Sequence, residues 1–313
     1  MKRIVCSLLL VGTLFCSPAL AAETLRVAVT IPPQVWLVNQ IGGEFVQCEA
    51  LVPAGADPHA YEPKPSQVTA LGQAALYLSI GLEFEQAWLP RLTSANPAMK
   101  VVPMDAGVER IAMGMSHVDP TTATDGRSHG QYDDAEKLAA EARQWTDRNG
   151  TPDPHVWTDP GNMRIMAKNV FEALQKADPR HAEAYVKNYM RARAVIEQLE
   201  TELLKLFAAR MGDKRSFLVF HPSWGYFARN YALTQVAIET EGHEPSPGEL
   251  AKVIQQAKDA GVSVILVQPQ VSSRAAQVVA DEIGAQLVQA DPMAYDWPQN
   301  LRSVAQAVKD ALR

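Results

Sequence analysis

Cysteine is nearly absent from this 313-residue chain: there are three, Cys6, Cys16 and Cys48, and the first two lie in or at the end of an N-terminal apolar run. Once that run is removed, Cys48 stands alone and no internal disulfide can form. A lone thiol in an oxidising compartment persists best as a small buried hydrophobe, so Cys48 is a poor candidate for a metal ligand. Basic charge is also scarce, with 29 Lys and Arg against 35 Asp and Glu for a net charge of −6. No Lys/Arg cluster stands out, which excludes a nucleic-acid groove. A phosphate-cradling Gly-rich loop, a Gly-x-Ser-x-Gly elbow and a His-Glu-x-x-His helix are all missing, so three common enzyme classes lack their signatures. A zinc hydrolase, the catalytic alternative for any histidine-rich site, therefore has little support.

The apolar run, residues 4–15, is too short to span a membrane, which takes roughly 20 residues. Lys2 and Arg3 precede it and Ala19 and Ala21 follow it, the pattern of a secretory signal peptide at 1–21 cut before Ala22. Cys16 raises the alternative of a lipoprotein signal, but bulky Phe15 stands where a small residue is needed. Loss of Lys2 and Arg3 takes the net charge from −6 to −8. The expected product is an exported, periplasmic protein whose partners are small cations or proteins, with no nucleic acid.

Residues 22–313 exceed what one core usually needs, and the pattern divides them. Short β-branched runs at 25–31, 49–53, 76–81 and 101–105 alternate with segments of helical period such as 65–75. A second set at 216–221, 235–240, 262–268 and 286–290 alternates with helical stretches such as 247–260. Strand alternating with helix implies parallel sheets. The expected fold class is α/β: two lobes, each a mostly parallel four-stranded sheet flanked by helices, with no alignable repeat between them. The first lobe covers 22–178 and the second 212–313.

Between them, 179–211 carries the strongest helical signal, with Asp178 as N-cap, Pro179 in the first turn and Gly212 as the stop. Ala182, Tyr185, Tyr189, Ala192, Ile196, Leu199, Leu203 and Leu206 form one apolar stripe. The spacing also fits a coiled-coil dimer, but two α/β lobes offer the helix a surface within its own chain, and a monomer is expected. A rigid linking helix of this kind would limit closure to a small tilt. Residues 113–148 break the pattern: 116–134 reads as a polar loop containing His117 and His129, and Asp133 or Asp134 caps a helix through Trp145. His117 and His129 could form an auxiliary metal site with Asp119 and Asp125, although such residues more often only solvate a loop.

Asp-Pro-His occurs twice, at 57–59 and 153–155, and the second half supplies His221-Pro222 and Asp291-Pro292. His221 ends one predicted strand and Asp291 follows another, so both sit at carboxyl ends; His59 lies in the loop after a third, and His155 leads into a helix starting near Pro160. In open α/β sheets ligands bind at the carboxyl ends of strands. Four loops would then bring His59, His155, His221 and Asp291 into one cleft. Three imidazoles and one carboxylate suit tetrahedral zinc, whereas manganese and magnesium favour more oxygen. Each residue also has a structural reading. Asp57 and Asp153 could be helix caps, His221 a satisfied core imidazole and Asp291 the cap of the segment leading to Trp297. His243, beside Glu241 and Glu244, reads as the solvated approach to a helix near Pro247. Spacing alone leaves the metal site and the structural readings open.

Longer motifs carry a resemblance. Gly55-Ala-Asp-Pro-His-Ala-Tyr-Glu-Pro-Lys-Pro-Ser66, Asp153-Pro-His-Val-Trp-Thr-Asp-Pro160, the Asp178-Pro helix start, Phe220-His-Pro-Ser-Trp-Gly-Tyr226, Glu244-Pro-Ser-Pro247, and Asp291-Pro with Asp296-Trp297 span most of the chain. Together they resemble the solute-binding proteins of bacterial metal ABC importers, in particular the zinc-type ZnuA-like members. The resemblance implies a two-lobed binding protein, not an enzyme. It would hold Zn²⁺ as transported ligand at His59, His155, His221 and Asp291 and deliver it to an ABC permease. Manganese-type relatives typically carry glutamate at the third position, so His221 favours zinc. A manganese or iron carrier, or an adhesin on the same scaffold, is the alternative. Zinc-type relatives often have a histidine-rich loop where 116–134 has two histidines, and the disulfide some relatives carry cannot exist here.

Overall fold

A computed structural model of the chain describes residues 24–113, 151–208, 215–239, 243–270 and 274–312. The expected leader, the loop 116–134 with His117 and His129, and the helix expected after Asp134 lie outside them. Strands β1 (Leu25–Val29), β2 (Val46–Ala50), β3 (Leu76–Ser79) and β4 (Lys100–Pro103) form one sheet in the order β2-β1-β3-β4. A second sheet holds β5 (Ser216–Val219), β6 (Thr234–Ala237), β7 (Val264–Val267) and β8 (Gln286–Gln289) in the order β6-β5-β7-β8. Every pairing is parallel. The lobes thus share one topology although their sequences do not align, and the expected α/β class holds.

The centre of each sheet is apolar on both faces, as helices on both sides require. Along β5, Phe217 and Val219 join one cluster and Leu218 joins another, while on β7 Val264 and Leu266 oppose Ile265 and Val267. The edge strand β2 differs from the sequence expectation. It spans 46–50 rather than 49–53, because the apolar pair Leu51-Val52 is buried beyond the strand, where its N–H groups bond Val29 and Thr30 carbonyls. Cys48 on this edge is only partly buried, and burial of the thiol pushes its pKa up. The flanking helices are α1 (Pro32–Gly42), α2 (Pro65–Leu71), α3 (Glu83–Ala95) and α4 (Pro160–Ala177) in the first half.

The linking helix α5 spans Ala182–Ala208, preceded by a 3₁₀ turn at Pro179–His181. This corrects the single helix expected from residue 179, and residues 209–211 lie outside the described set. Asp178 does not cap the helix backbone. Its carboxylate instead accepts from the His181 ring (2.6 Å), Arg180 (3.2 Å) and the Tyr185 hydroxyl (3.1 Å). Those donors hold its pKa below the usual carboxylate range despite the cost of burial. At about 1.5 Å per residue the helix is about 40 Å long. Tyr185, Ala192, Ile196, Leu199, Leu203 and Phe207 are its buried stripe. The helix packs on α1 and α4 of the first lobe and on the C-terminal helix α9 of the second, after α6 (Gly225–Asn230), α7 (Pro247–Ala260) and α8 (Arg274–Ile283); α9 is Trp297–Ala311. No helix among the described residues is long and apolar enough to cross a membrane.

Tryptophans join the lobes. The Trp157 indole donates to the Pro292 carbonyl (2.7 Å), and the Trp297 indole donates to the Trp157 carbonyl (2.7 Å). Trp297 also lies against Trp36 of α1, with ring centroids 5.2 Å apart. Buried aromatic N–H groups need such acceptors, and each bond here fixes one lobe against the other. Trp157→Phe keeps most of the apolar contact but leaves the Pro292 carbonyl without its donor. It is expected to lower stability by about 1–3 kcal/mol, read as a fall in the thermal unfolding midpoint with the circular dichroism spectrum unchanged.

Candidate metal centre

The two Asp-Pro-His segments fold alike. The Asp57 carboxylate accepts the His59 N–H at 2.9 Å, and the Asp153 carboxylate accepts the His155 N–H at 2.9 Å. Proline between them has no N–H, so the histidine is the first backbone donor the carboxylate can reach. Neither aspartate starts an α-helix, so the cap reading of both is set aside. The cap of α4 is Asp159, which accepts from the Asn162 N–H, and the cap of α9 is Asp296 rather than Asp291.

The turns aim His59 and His155 toward the carboxyl end of β5, where His221 waits two residues past the strand. Ring centroids are 5.9 Å apart for His59 and His155, 5.0 Å for His59 and His221, and 5.1 Å for His155 and His221. One nitrogen from each ring lies within 4.8 Å of the others. His155 is buried, His221 partly buried and His59 the most exposed. Nitrogens around a tetrahedral zinc at about 2.0–2.1 Å are about 3.3 Å apart, so small side-chain adjustments would close the three on one ion. His221 Nε2 is buried with no partner, as a nitrogen reserved for a ligand would be.

Asp291 is not brought into this group of three. Its Oδ1 accepts from the Gln270 amide (2.7 Å) and the Met293 N–H (2.9 Å). The loop that carries it is tied across the cleft by the Trp157 bond to Pro292. His243 and Glu244 are exposed ahead of α7, whose cap is Ser246.

Two neighbours of the rings escaped the sequence reading. Asp153 Oδ1 lies 2.8 Å from His155 Nδ1, and Glu239 Oε1 lies 2.7 Å from His221 Nδ1. The first lies within a short-range carboxylate–histidine spacing that the helix-cap expectation overlooks. The second had no local signal, because 18 residues separate the pair. Asp153 is itself gripped at the lobe junction. Its carbonyl accepts from the Tyr226 hydroxyl (2.9 Å) and from Arg110, which also pairs with Asp105.

Burial, then repulsion from His155 and His221, lowers the His59 pKa from 6.5 to about 4, opposed by Asp57 and Asp153. His59 keeps an exposed side, but its ring is the part wedged beside the other two. Burial also lowers the His155 pKa, against the pull of Asp153. Rings with lowered pKa stay neutral and keep a free lone pair at neutral pH. They offer the borderline nitrogen donors that zinc, copper and nickel accept.

Residues 27–311 match the family model described as ZnuA, zinc-uptake complex component A, periplasmic. The chain is 29% identical to the high-affinity zinc uptake system protein ZnuA of Paracoccus denitrificans, with 93% of each chain covered. Its structure resembles that of a zinc-bound ZnuA deletion mutant at 36% identity and a TM-score of 0.77, covering 92% of this chain and 98% of the other. The laminin-binding protein of Streptococcus agalactiae, described as bifunctional with adhesin and metal-transporting activity, shares the fold at 21% identity and a TM-score of 0.74, covering 93% and 100%.

A protonated imidazole cannot ligate, so the pKa values set the pH window of metal binding. The lowered values of His59 and His155 put the protonation of these two rings on the acid side of 6.5. In metal-free protein, an NMR pH titration of the His59 ring should find it neutral at 6.5 and taking up its proton toward about 4. A midpoint at 6.5 would mean that the His59 ring titrates like free histidine.

Proposed function

The chain belongs to the ZnuA family, the periplasmic component A of zinc-uptake complexes, and from that premise we propose that it captures Zn²⁺ between its lobes and delivers it to an ABC permease. The family is a metal-binding transporter component, not a family of enzymes. His59, His155 and His221 are the nitrogen ligands in this reading, and the Asp291 carboxylate completes a closed tetrahedral site by swinging from its Gln270 contact. The observation that carries it is the cluster of three imidazoles, one of them with a buried, unpartnered Nε2.

Three nitrogens and a single oxygen favour zinc over manganese, which prefers more oxygen. A site closed by four protein ligands leaves no position for an activated water, so the protein binds and releases its cargo without chemistry. Export by the 1–21 leader puts it where it meets zinc in the periplasm, and it works as a monomer with the buried stripe of α5 packed on its own lobes. An adhesin shares the fold at low identity, and laminin binding by this chain would favour that second reading.

Zinc at roughly a thousandfold over its dissociation constant should stabilise the fold by about 4 kcal/mol. His59→Ala, His155→Ala and His221→Ala are expected to remove most of the zinc-induced rise in melting temperature, and Asp291→Ala less, since water can replace one oxygen ligand. Unchanged zinc affinity in the three histidine variants would sink the assignment. Crystals of metal-free and zinc-loaded protein should both keep the Trp157–Pro292 hydrogen bond. A hinge opening that breaks it would contradict a closure limited by the linking helix.

A further inference from the structure

We propose that Asp153 and Glu239 are positioning residues that set the tautomers of His155 and His221 before zinc arrives, an inference that rests on reading those histidines as ligands. An ionised carboxylate can only accept a hydrogen bond. At 2.8 Å and 2.7 Å from the two Nδ1 atoms, the carboxylates therefore require the ring proton on Nδ1. Each Nε2 is left as a bare lone pair. Free neutral histidine favours the opposite tautomer, with the proton on Nε2, which would block the one nitrogen the carboxylates leave open. The carboxylates reverse that preference and make the two nitrogens stronger donors.

The two carboxylates reach their rings by different routes. Asp153 acts locally, taking both the backbone N–H and the ring N–H of His155 on one oxygen. Its other oxygen presses on Gly225, where a Cβ would come within 2.6 Å. Tyr226 holds its carbonyl and so fixes the backbone that presents the carboxylate. Glu239 comes from the neighbouring strand. The β5–β6 register pairs Val219 with Ala237, so two residues onward His221 falls beside Glu239. Backbone bonds from Ile238 to Val219 and from Glu239 to Phe220 extend the ladder past the strand ends. One lobe thus supplies each carboxylate–histidine pair. Asp57 bonds only the backbone of His59, so the third ring has no such partner in the hydrogen bonds described.

The test is ¹⁵N NMR of histidine-labelled, metal-free protein at neutral pH, combined with zinc competition titrations. His155 and His221 should show the proton on Nδ1 in the wild type. Glu239→Leu should move His221 toward the Nε2–H form, leave His155 and His59 signals in place as proof of folding, and weaken zinc binding by roughly 10–100-fold. Glu239→Gln, which keeps an acceptor without the charge, should fall between. Asp153→Ala should do the same to His155 alone. Wild-type rings with the proton on Nε2, or a Glu239→Leu protein that binds zinc as tightly as wild type, would overturn the proposal. Failure of wild-type protein to bind zinc at all would instead overturn the zinc reading, so the two failures are distinguishable.

Discussion

The contact on which the rest of this structure depends is the seam between the lobes around residues 153–157. The Tyr226 hydroxyl bonds the Asp153 carbonyl, Gly225 receives the Asp153 carboxylate, and the Trp157 indole reaches the Pro292 carbonyl. Side chains of both lobes, Asp153 and Trp157 from the first and Tyr226 from the second, thereby meet backbone of the opposite lobe. His155 lies in the middle of this seam, so its ring is fixed relative to His221 as firmly as the lobes are to each other. Without the seam the histidines would belong to two separate bodies.

The linking helix acts on the same geometry from the opposite side. Its buried stripe packs on helices of both lobes, and Asp178 and Tyr185 fasten its start. Burying that many apolar side chains makes a large relative rotation costly, since any opening would return them to water. What remains free is the side-chain level: the exposed side of His59, and the Asp291 carboxylate held by Gln270. A binding protein built this way would take up and give up its ion through loops and rotamers rather than through a wide hinge.

Much of the fold was legible. All eight expected strands exist, and their parallel pairing followed from alternation with helices. The misses have local causes. Leu51-Val52 drew β2 too far along because burial beyond a strand looks like the strand itself. Asp178 looked like a helix cap because Asp-Pro is a common start, but the first turn is 3₁₀ and its carboxylate found side-chain donors. The two Asp-Pro-His segments looked equally like caps, and only the absence of a following α-helix separates an Asx turn from one.

The candidate site divides in the same way. Residue type and proline neighbours determined that His59, His155 and His221 are chemically apt, and the i, i+2 spacing already contained the Asp153–His155 bond. Convergence of the three rings was beyond any local pattern, because it depends on where two sheets meet. The partnership of Glu239 with His221 was decided by strand register, which brings together residues 18 apart. A sequence sets what each side chain can do within a few residues of itself. Distances between loops from different sheets are set only when the core packs and the seam closes.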